Sequence, residues 1–575
     1  MFKLYTNTLR SPFSKNNNDS NFLESGGDPS ILTSNRKGRS FAIERKCALG
    51  RLESNPASSC VKVDLRTYTD GAIEYYPWLF GKTLKHDSNG LIRKEDLDRL
   101  IEVSTSGGSK ESICSLQQSQ EPMKIRKLEG VATGNSYWPV GVDSQFFDLS
   151  QEFIPADDIR NVCDMIEVYE KGLLKDTSFF DIQNGGGDSA RAVQSMNNYL
   201  SNDGYIGPID PITNLVVPKV LFRGIAKDVL VGPYVSQYLV LPYKYNGIDI
   251  VQQYPVEDDV TDSINPSNYL DIQKGIVGGS PNFSGVSKYA YNGRVLGSIV
   301  HRDPLHWAYW NAAIISLQNS NIELDYNGND VTSAWTDQGP PDLLSSVGDI
   351  ALGALRVAWH TKYNIGLKLR PEVMAHHIDK IIDGTFTGGS FDTVNGFLSD
   401  GQATLDAVLT KNTMLGNANH LLLLQYPEGS PTHPTYPAGH AVVAGACCTL
   451  LKAFLKTHNG NDDPLSWPDS PLHSLDGDSL VTYTESDSGD LTIAGEINKL
   501  AANMSIARNI AGVHYRADGD CGLELGEKFA IQYLQAKLEY YISTYNGMIT
   551  DFKLEKFNGE YIQITQDNIT VLKSR

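Results

Sequence analysis

Residues 433–456 read His-Pro-Thr-Tyr-Pro-Ala-Gly-His-Ala-Val-Val-Ala-Gly-Ala-Cys-Cys-Thr-Leu-Leu-Lys-Ala-Phe-Leu-Lys. This stretch predicts the start of a buried helix. The part after His440 is rich in alanine and leucine, a composition typical of a helix inside a protein. Pro437 suits the first turn of such a helix, and Gly439 lets the backbone approach a ligand closely. Free amides and the positive end of the helix dipole then face a bound anion.

Cationic motifs lie on both sides of this stretch. Upstream, Lys362, Arg370 and Pro371 form the pattern K-x7-R-P, and downstream Arg508 and His514 form R-x5-H. Each motif is weak by itself, because an isolated lysine is usually a solvated charge and an isolated histidine is usually a core or surface residue. Together the motifs supply an ammonium, two guanidiniums and imidazoles. These groups bind a tetrahedral oxyanion, either phosphate or vanadate.

The three motifs, in this order and with these internal spacings, resemble the vanadium-dependent haloperoxidases, and the algal-type bromoperoxidases in particular. Residues 221–224, Leu-Phe-Arg-Gly, and residues 232–239, Gly-Pro-Tyr-Val-Ser-Gln-Tyr-Leu, are similar to that family as well. The resemblance therefore covers residues 200–530. It implies a mainly α fold, with two four-helix bundles around the active site and a few short strands.

The pattern of apolar residues independently favours a mainly α protein. Pro371 is predicted to stop the helix that precedes it, whereas the Pro-, Asn-, Gly- and Ser-rich residues 252–294 show little periodicity. Alternation in residues 552–572 predicts a small hairpin. Residues 1–60 are predicted to be loosely ordered, and residues 61–575 to form one large helical catalytic domain. Its site is built from residues 359–371, 433–440 and 505–518. Helices are predicted over residues 303–318, 341–362, 402–410, 438–457, 494–514 and 522–542.

The resemblance also implies a cofactor, vanadate, and a role for each site residue. His514 is the one protein ligand of the metal, and His440 is the acid–base histidine. Asp518, four residues after His514, is a candidate for orienting the ligand imidazole. The groups that hold the vanadate oxygens, and whose charge makes peroxide more electrophilic, are Lys362, Arg370, Arg508 and the amide of Gly439.

One position departs from the family pattern. The family usually reads Pro-Ser-Gly-His, and its serine hydroxyl bonds a vanadate oxygen, but here the residue is Ala438. Losing one hydrogen bond to a charged group costs about 1.5–3 kcal/mol. We therefore expect the cofactor to bind roughly tenfold to a hundredfold more weakly than it does with serine.

Two residues are predicted to form a halide pocket. By resemblance, His433 occupies a position where bromoperoxidases carry histidine and a fungal-type chloroperoxidase carries a phenyl ring. Trp359 matches an aromatic residue of some members, which red-algal members replace by arginine. Packing of the pocket is the alternative role for each. With His433 present, we expect oxidation of bromide and iodide but poor oxidation of chloride. The imidazole is expected to titrate near neutrality.

Composition restricts the partners. The chain has 575 residues, of which 41% are hydrophobic and 20% charged, as in ordinary globular proteins. A net charge of -19 argues against nucleic acid or an anionic membrane as a partner. No apolar run is long enough to span a bilayer, and no secretory signal is recognisable. A cytoplasmic protein with mostly reduced thiols is expected. The resemblance implies a homo-oligomer, a dimer or larger, acting on hydrogen peroxide, halide and small organic acceptors.

Two other functions use the same residues. Phosphatases of the type-2 phosphatidic acid phosphatase class share this oxyanion pocket and use the histidine as a nucleophile, but they typically read K-x6-R-P. A non-catalytic oxyanion-binding protein is the third alternative, and the intact pair His440 and His514 argues against it. A structural calcium ion is a further weak prediction. It rests on oxygen-bearing side chains at alternating positions in residues 325–330, which lack the full calcium-loop pattern.

Overall fold

The computed structural model describes residues 76–105, 116, 126–131, 154–258, 262–276, 282–326, 333–545 and 549–574. The segment predicted to be loosely ordered, residues 1–60, lies outside this part of the chain. Within it the protein is mainly α-helical, with a few short strands, as the sequence predicts.

The helices in the first half of the described chain have between 5 and 16 residues. These are α1 (Lys94–Thr105), α2 (Ile159–Leu174), α3 (Phe179–Gln183), α4 (Ser189–Leu200), α5 (Pro266–Gln273), α6 (Gly293–Ile299) and α7 (Trp307–Gln318).

The second half carries the longest helices of the described chain. These are α8 (Pro340–Thr361), α9 (Pro371–Ile382), α10 (Gly389–Phe397), α11 (Gln402–Met414), α12 (Gly439–Phe454), α13 (Ile493–Ile510) and α14 (Arg516–Tyr545). Single 3-10 turns occupy Tyr76–Trp78, Gln237–Leu239, Asp262–Ile264 and Leu398–Gly401, and a π-helical turn occupies Lys362–Gly366.

The strands are short and antiparallel. They are β1 (Tyr243–Tyr245), β2 (Ile248–Ile250), β3 (Tyr254–Glu257), β4 (Phe283–Lys288), β5 (Leu472–His473), β6 (Val481–Thr482), β7 (Asp551–Glu555), β8 (Tyr561–Thr565) and β9 (Ile569–Lys573). The final three form a sheet in the order β7-β8-β9, so the predicted terminal hairpin is confirmed and gains a third strand. The others form two-stranded pairs, β1 with β2, β3 with β4 and β5 with β6.

Helix α12 lies at the centre of one bundle, as its apolar sequence predicts. Almost every residue from Gly439 to Phe454 is buried, and the helix packs against α8, α13 and α14. The sulfur of Cys447 contacts the carbonyl oxygen of Val347 on α8, and Lys452 donates to Asn498 on α13 at 2.9 Å. A second group of helices, α4, α9, α10 and α11, packs around α2.

Helices α12 and α14 cross at backbone contact, and two glycines make this possible. A Cβ atom placed on Gly526 would lie 2.1 Å from the carbonyl oxygen of Val442, and one placed on Gly445 would lie 2.2 Å from the carbonyl oxygen of Leu523. No side chain fits at either position, because backbone atoms fill the space. The beginnings of the two helices therefore meet, and the Ala438 amide donates to the carbonyl oxygen of Asp518 at 2.9 Å.

Several predicted elements differ from those observed. Pro371 does not stop a helix but is the first residue of α9, the position where its missing N–H costs nothing. Pro437 precedes α12 rather than lying in its first turn, because Ala438 is the N-cap. The helix predicted over residues 494–514 ends at Ile510, and Gly512 takes a φ of +82° that ends it. Residues 252–294, predicted as irregular, contain β3, α5 and β4.

Eight of the fourteen α-helices in the described part of the chain, α1 to α6, α9 and α10, were not predicted. Helices α2, α4 and α9 lack the long alanine- and leucine-rich stretches that made α12 visible, and α2 buries charged residues along its length. One continuous set of buried apolar side chains extends from Trp78 to Ile564. None of the helices in the described ranges has the length and apolar character needed to cross a bilayer.

Candidate active site

An open cleft of about 400 Å³ lies at the start of α12. The end of α8, the end of α13 and the loops before α12 and α14 border it, so all three sequence motifs contribute to one place. Its wall includes Arg126, Glu129, His301, Leu305, Leu355, Trp359, Tyr426, Glu428, His433, Gly439, His440, Arg508 and His514.

His514 is buried at the base of the cleft with a defined tautomer. Its Nδ1 lies 3.0 Å from Oδ2 of Asp518, and the hydroxyl of Thr435 donates to the same carboxylate oxygen. Arg370 Nη1 lies 3.0 Å from Nε2. Because a guanidinium only donates, Nε2 carries a lone pair and Nδ1 carries the proton. The predicted contact of Asp518 with His514 is present, and burial and Arg370 lower the pKa of His514 well below 6.5.

Arg370 is fully buried between the loops that carry His433 and His514. Its Nε donates to the carbonyl oxygen of His433 at 3.0 Å, and its Nη1 donates to that of Val513 at 2.7 Å. Burial, and then Arg508, lower the pKa of Arg370 to about 9. The side chain therefore stays positive at neutral pH and has a fixed orientation.

Lys362 begins the π-helical turn that follows α8. This turn ends at Leu367, whose φ of +38° is unusual for a residue with a side chain. Lys362 Nζ donates to the carbonyl oxygens of Pro434 and Thr435 at 2.7 and 2.9 Å. Burial, and then Arg370, lower its pKa well below 10.5. Single π turns often occur at functional sites.

Arg508 lies near the end of α13, where its side chain is buried beside the cleft. Its Nη1 donates to the carbonyl oxygen of Val300, and its guanidinium carbon lies 5.3 Å from the ring centre of Tyr426. Its Nε is buried and has no hydrogen-bond partner among the described residues. Such a donor is costly to bury unless a ligand satisfies it.

These groups fit an oxyanion cofactor whose metal is bound by a single protein nitrogen. Three buried cations converge, and burial and mutual repulsion lower the pKa of Lys362 and of Arg370. An anion between them relieves that repulsion and satisfies the free Nε of Arg508. The Nε2 lone pair of His514 accepts from Arg370 and is the lone pair that a metal would take if Arg370 donated to an oxygen of the anion instead. The first amides of α12 have no partner within the helix and add to the positive field.

His440, the second residue of α12, lies beside the cations and contacts a carboxylate. Its Nε2 lies 3.0 Å from Oδ1 of Asp303, so the neutral ring donates from Nε2 and keeps its lone pair on Nδ1. Burial lowers the pKa of His440 below 6.5, and Asp303 opposes this shift. Burial would raise the pKa of Asp303, but His440 and then Arg508 hold it below 3.8.

His433 and Trp359 lie together on one wall, as predicted. Their ring centres are 4.5 Å apart, and Trp359 Nε1 donates to the carbonyl oxygen of Glu129 at 3.0 Å. The expectation that His433 titrates near neutrality is wrong. Burial, followed by the charges of Lys362 and Arg370, lowers its pKa well below 6.5. The ring is therefore neutral throughout the neutral range.

Ala438 and Gly439 form the start of α12. Ala438 is fully buried and serves as the N-cap without a side-chain hydrogen bond. A Cβ atom on Gly439 would lie 3.3 Å from the ring of Trp359, so the glycine leaves room for that ring. The predicted helix start at Gly439 is confirmed.

A second group of residues around the cleft was not predicted from the sequence. His301 lies between two carboxylates, with Nδ1 bonded to Glu257 and Nε2 at 2.7 Å from Glu428. Although burial lowers it, the two carboxylates raise the pKa of His301 above 6.5. The ring stacks on Tyr426 with centres 3.8 Å apart. Asp303 was missed too, because an isolated Asp-Pro pair carries no recognisable motif.

Comparisons with known proteins agree with this geometry. A family model described as the second helical-bundle domain of VCPO matches residues 351–543, which contain all three motifs. The vanadium-dependent bromoperoxidase of Corallina officinalis is 29% identical over 567 residues, covering 84% of this chain and 90% of its own. The resemblance to the vanadium-dependent haloperoxidases is confirmed.

Further relatives extend the similarity. The vanadium-dependent bromoperoxidase of Ascophyllum nodosum is 28% identical over 515 residues, covering 85% of this chain and 86% of its own. The solved structure of a second, homohexameric vanadate-dependent bromoperoxidase from Ascophyllum nodosum superposes with a TM-score of 0.80 at 25% identity. That match covers 92% of this chain and 91% of the other. The similarity to vanadium haloperoxidases thus includes the first half of this chain as well as the motifs.

The predicted calcium site has no support from the described residues. Residues 327–330 lie outside the described part of the chain, and only Asp325 and Tyr326 of this stretch lie within it. No group of three or more histidine, cysteine or carboxylate side chains in the described ranges is placed to hold a metal ion. The described cysteines, Cys163, Cys447, Cys448 and Cys521, are buried, and none of them forms a disulfide with another.

Proposed function

We propose that this protein is a vanadate-dependent haloperoxidase, which oxidises bromide and iodide with hydrogen peroxide to a hypohalous-acid equivalent that halogenates small organic acceptors. The observation that carries the proposal is the buried lone pair of His514 among Lys362, Arg370 and Arg508, beside an open cleft. The similarity to bromoperoxidases over most of the chain supports it.

In this mechanism the protein holds the cofactor mainly by charge. Nε2 of His514 is the proposed ligand to vanadium, and Asp518 keeps that nitrogen unprotonated by accepting the proton of Nδ1. Lys362, Arg370 and Arg508 would hold the oxygens, together with the amide of Gly439. When bound, pentavalent vanadium supplies a Lewis acid that makes peroxide electrophilic toward halide.

Proton transfer is assigned to His440. Its Nε2 donates to Asp303, which leaves the lone pair of Nδ1 to take a proton from hydrogen peroxide as it enters the cleft. Asp303 then stabilises the imidazolium that results. The same nitrogen returns the proton when the oxidised halide leaves.

A phosphatase reaction in the same pocket is not favoured. It would use His514 as a nucleophile toward a phosphoryl group, but the K-x7-R-P spacing and the similarity to bromoperoxidases both argue against it. The decisive experiment measures bromide-dependent peroxidase activity after reconstitution with vanadate, and phosphatase activity of the cofactor-free protein. Phosphatase activity without any peroxidase activity would overturn the proposal.

Halide preference is the first prediction. We expect turnover with bromide and iodide and little or none with chloride, because chloride is harder to oxidise and His433 stands where a chloroperoxidase carries phenyl. Steady-state halogenation of an activated phenol with each halide at constant ionic strength measures the preference. Comparable turnover with chloride and bromide would show that this position does not set it.

The second prediction concerns Ala438→Ser. We expect vanadate to bind about tenfold more tightly, because the hydroxyl adds one hydrogen bond to a charged ligand. Serine at an N-cap also satisfies an amide of its own helix, which stabilises a fold by roughly 1 kcal/mol. Equilibrium dialysis and thermal unfolding of the cofactor-free protein separate the two effects. Higher thermal stability with unchanged vanadate affinity would mean that the hydroxyl caps α12 instead.

A homo-oligomer, a dimer or larger, is also proposed, and the homohexameric structural neighbour supports it. The single catalytic domain of residues 61–575 and the cytoplasmic location stay predictions. Size-exclusion chromatography with light scattering tests the oligomer directly, and a monomer at micromolar concentration would contradict it.

A further inference from the structure

Glu129 brings a carboxylate to the proposed halide pocket. Its Oε2 lies 3.5 Å from Nε2 of His433. The other ring nitrogen, Nδ1, lies 3.0 Å from Nη2 of Arg370. Nδ1 also lies 3.1 Å from the carbonyl oxygen of Pro434. Because Arg370 can only donate to Nδ1 and the carboxylate of Glu129 can only accept from Nε2, these two contacts together place the proton of the neutral ring on Nε2. The N–H of Nε2 is therefore the ring group nearest to the carboxylate of Glu129.

The backbone around Glu129 is fastened to the rim of the cleft. The Glu129 amide donates to the carbonyl oxygen of Thr432 at 3.1 Å. The Glu129 carbonyl oxygen accepts from Trp359 Nε1 at 3.0 Å and from the hydroxyl of Tyr363 at 2.7 Å. Hydrogen bonds to Thr432, Trp359 and Tyr363 therefore fix the position of Glu129, and Trp359 itself forms part of the pocket wall.

Neighbouring residues strengthen this attachment. Thr432 donates from its hydroxyl to the carbonyl oxygen of Lys127 at 2.6 Å. Arg126 donates from Nη1 to the carbonyl oxygens of Glu428 and Ser430 at 3.1 and 2.9 Å. These contacts join a segment distant in sequence to the loop that precedes α12.

The charge of Glu129 is only partly compensated. Nη2 of Arg126 lies 4.0 Å from Oε1, and 48% of the Glu129 side chain is exposed to the cleft and solvent. An anion approaching the N–H of His433 meets this negative charge first. It also finds a carboxylate oxygen 3.5 Å from the nitrogen that would donate to it.

We propose that Glu129 is a specificity-determining residue that weakens halide binding, because its carboxylate competes with halide for the N–H of His433 beside Trp359. The proposal rests on the proposed haloperoxidase function and deepens it, since it assigns the affinity for halide to a residue outside all three sequence motifs. Glu129 makes no direct contact with the proposed cofactor residues Lys362 or His514, although its negative charge opposes the lowering of the pKa of Lys362 and of Arg370. Its main effect therefore falls on halide, which binds nearer to it than vanadate does.

The test is a charge series at one position. With vanadate-loaded protein at constant ionic strength, we expect Glu129→Gln to lower the KM for bromide about fivefold, the size of effect that one charge about 5 Å away exerts in a partly solvated site. Glu129→Lys is expected to lower it further. The kcat is expected to stay within about twofold of the parent in both variants. The dialysis affinity for vanadate is expected to be no weaker than in the parent and to change less than the KM for bromide, because the removed charge lies farther from the cofactor than from the halide.

A matched control removes the same charge elsewhere. Glu323 is 57% exposed, pairs with Lys456 at 3.1 Å and is not part of the cleft wall. Glu323→Gln is expected to leave the KM for bromide unchanged. An unchanged KM in both Glu129 variants would overturn the proposal, and so would an equal fall in Glu323→Gln. Loss of vanadate affinity in Glu129→Gln would also overturn it, since it would indicate a structural role.

A second measurement needs no turnover. Iodide quenches tryptophan fluorescence by contact, and Trp359 lines the pocket. In cofactor-free protein we expect stronger quenching by iodide in Glu129→Gln than in the parent, and no such difference in a Trp359→Phe background. Equal quenching in both proteins would overturn the proposal. If the parent lacked bromide-dependent peroxidase activity, the proposed function would fail while this measurement still decided the role of Glu129.

Discussion

His514→Ala is expected to abolish stable vanadate binding, with an affinity loss beyond the roughly hundredfold typical for losing an outer-shell partner of a metal ligand. The substitution removes the imidazole whose Nε2 is the proposed ligand of vanadium, and it leaves Asp518 without its imidazole partner. Peroxidase activity falls with the cofactor. Equilibrium dialysis with metal analysis measures the occupancy at each concentration of free vanadate.

A buried histidine elsewhere provides the control. His458 is buried, stacks on Tyr561 with ring centres 4.1 Å apart and lies outside the cleft wall. His458→Ala creates a similar internal gap, and we expect it to retain vanadate. Metal occupancy in His514→Ala equal to that of the parent would remove His514 from its assigned role.

The second large effect is expected from His440→Ala. This variant keeps all the proposed oxygen-binding groups and the lone pair of His514, so it retains vanadate. Turnover should fall by about 10²- to 10⁴-fold, the range that a positioned acid–base group contributes. Stopped-flow or steady-state bromination at saturating bromide measures the loss of turnover, and metal analysis of the same sample measures the vanadate that is retained. Loss of vanadate in step with activity would mean that His440 mainly holds the cofactor.

Asp303→Asn tests whether Asp303 influences the proton of His440 or whether losing the carboxylate only disturbs the structure of the site. The carboxylate of Asp303 raises the pKa of His440 against the effect of burial. Without it that pKa falls, and we expect the limb of the pH profile assigned to His440 to move to lower pH. The amide still accepts a hydrogen bond, so the fold is retained. A profile that only loses height, without moving, would argue that Asp303 has no influence on the proton of His440.

The sequence predicted the site better than it predicted the surrounding fold. Cationic groups with fixed spacing around a helix start are local features, and Gly439, His440 and His514 lie together as the motifs require. Pro371 illustrates the limit. Proline suits both the end of one helix and the first turn of the next, and only tertiary packing decides between the two.

The carboxylates that contact the histidines of the site could not be predicted from the sequence. Asp303 contacts His440 across 137 positions, and Glu129 approaches His433 across more than 300. Neither carboxylate belongs to a motif, because no fixed sequence spacing relates a single carboxylate to a histidine that it contacts only in the folded protein. The low pKa of His433 was missed for the same reason, since it depends on burial and on two cations from another segment.

The contact between α12 and α14 through Gly445 and Gly526 has a consequence for how the site tolerates change. One half of the anion site is the first turn of α12, and the other is the loop at His514. Main-chain contact between α12 and α14 holds the two halves together in addition to the hydrogen bonds of Thr435 and Arg370. Most substitutions in the core alter side chains and therefore leave this main-chain contact unchanged. Conversely, a methyl group added at either glycine would push α12 and α14 apart. It would thereby separate the two halves of the anion site, although each glycine lies more than one helical turn away from that site.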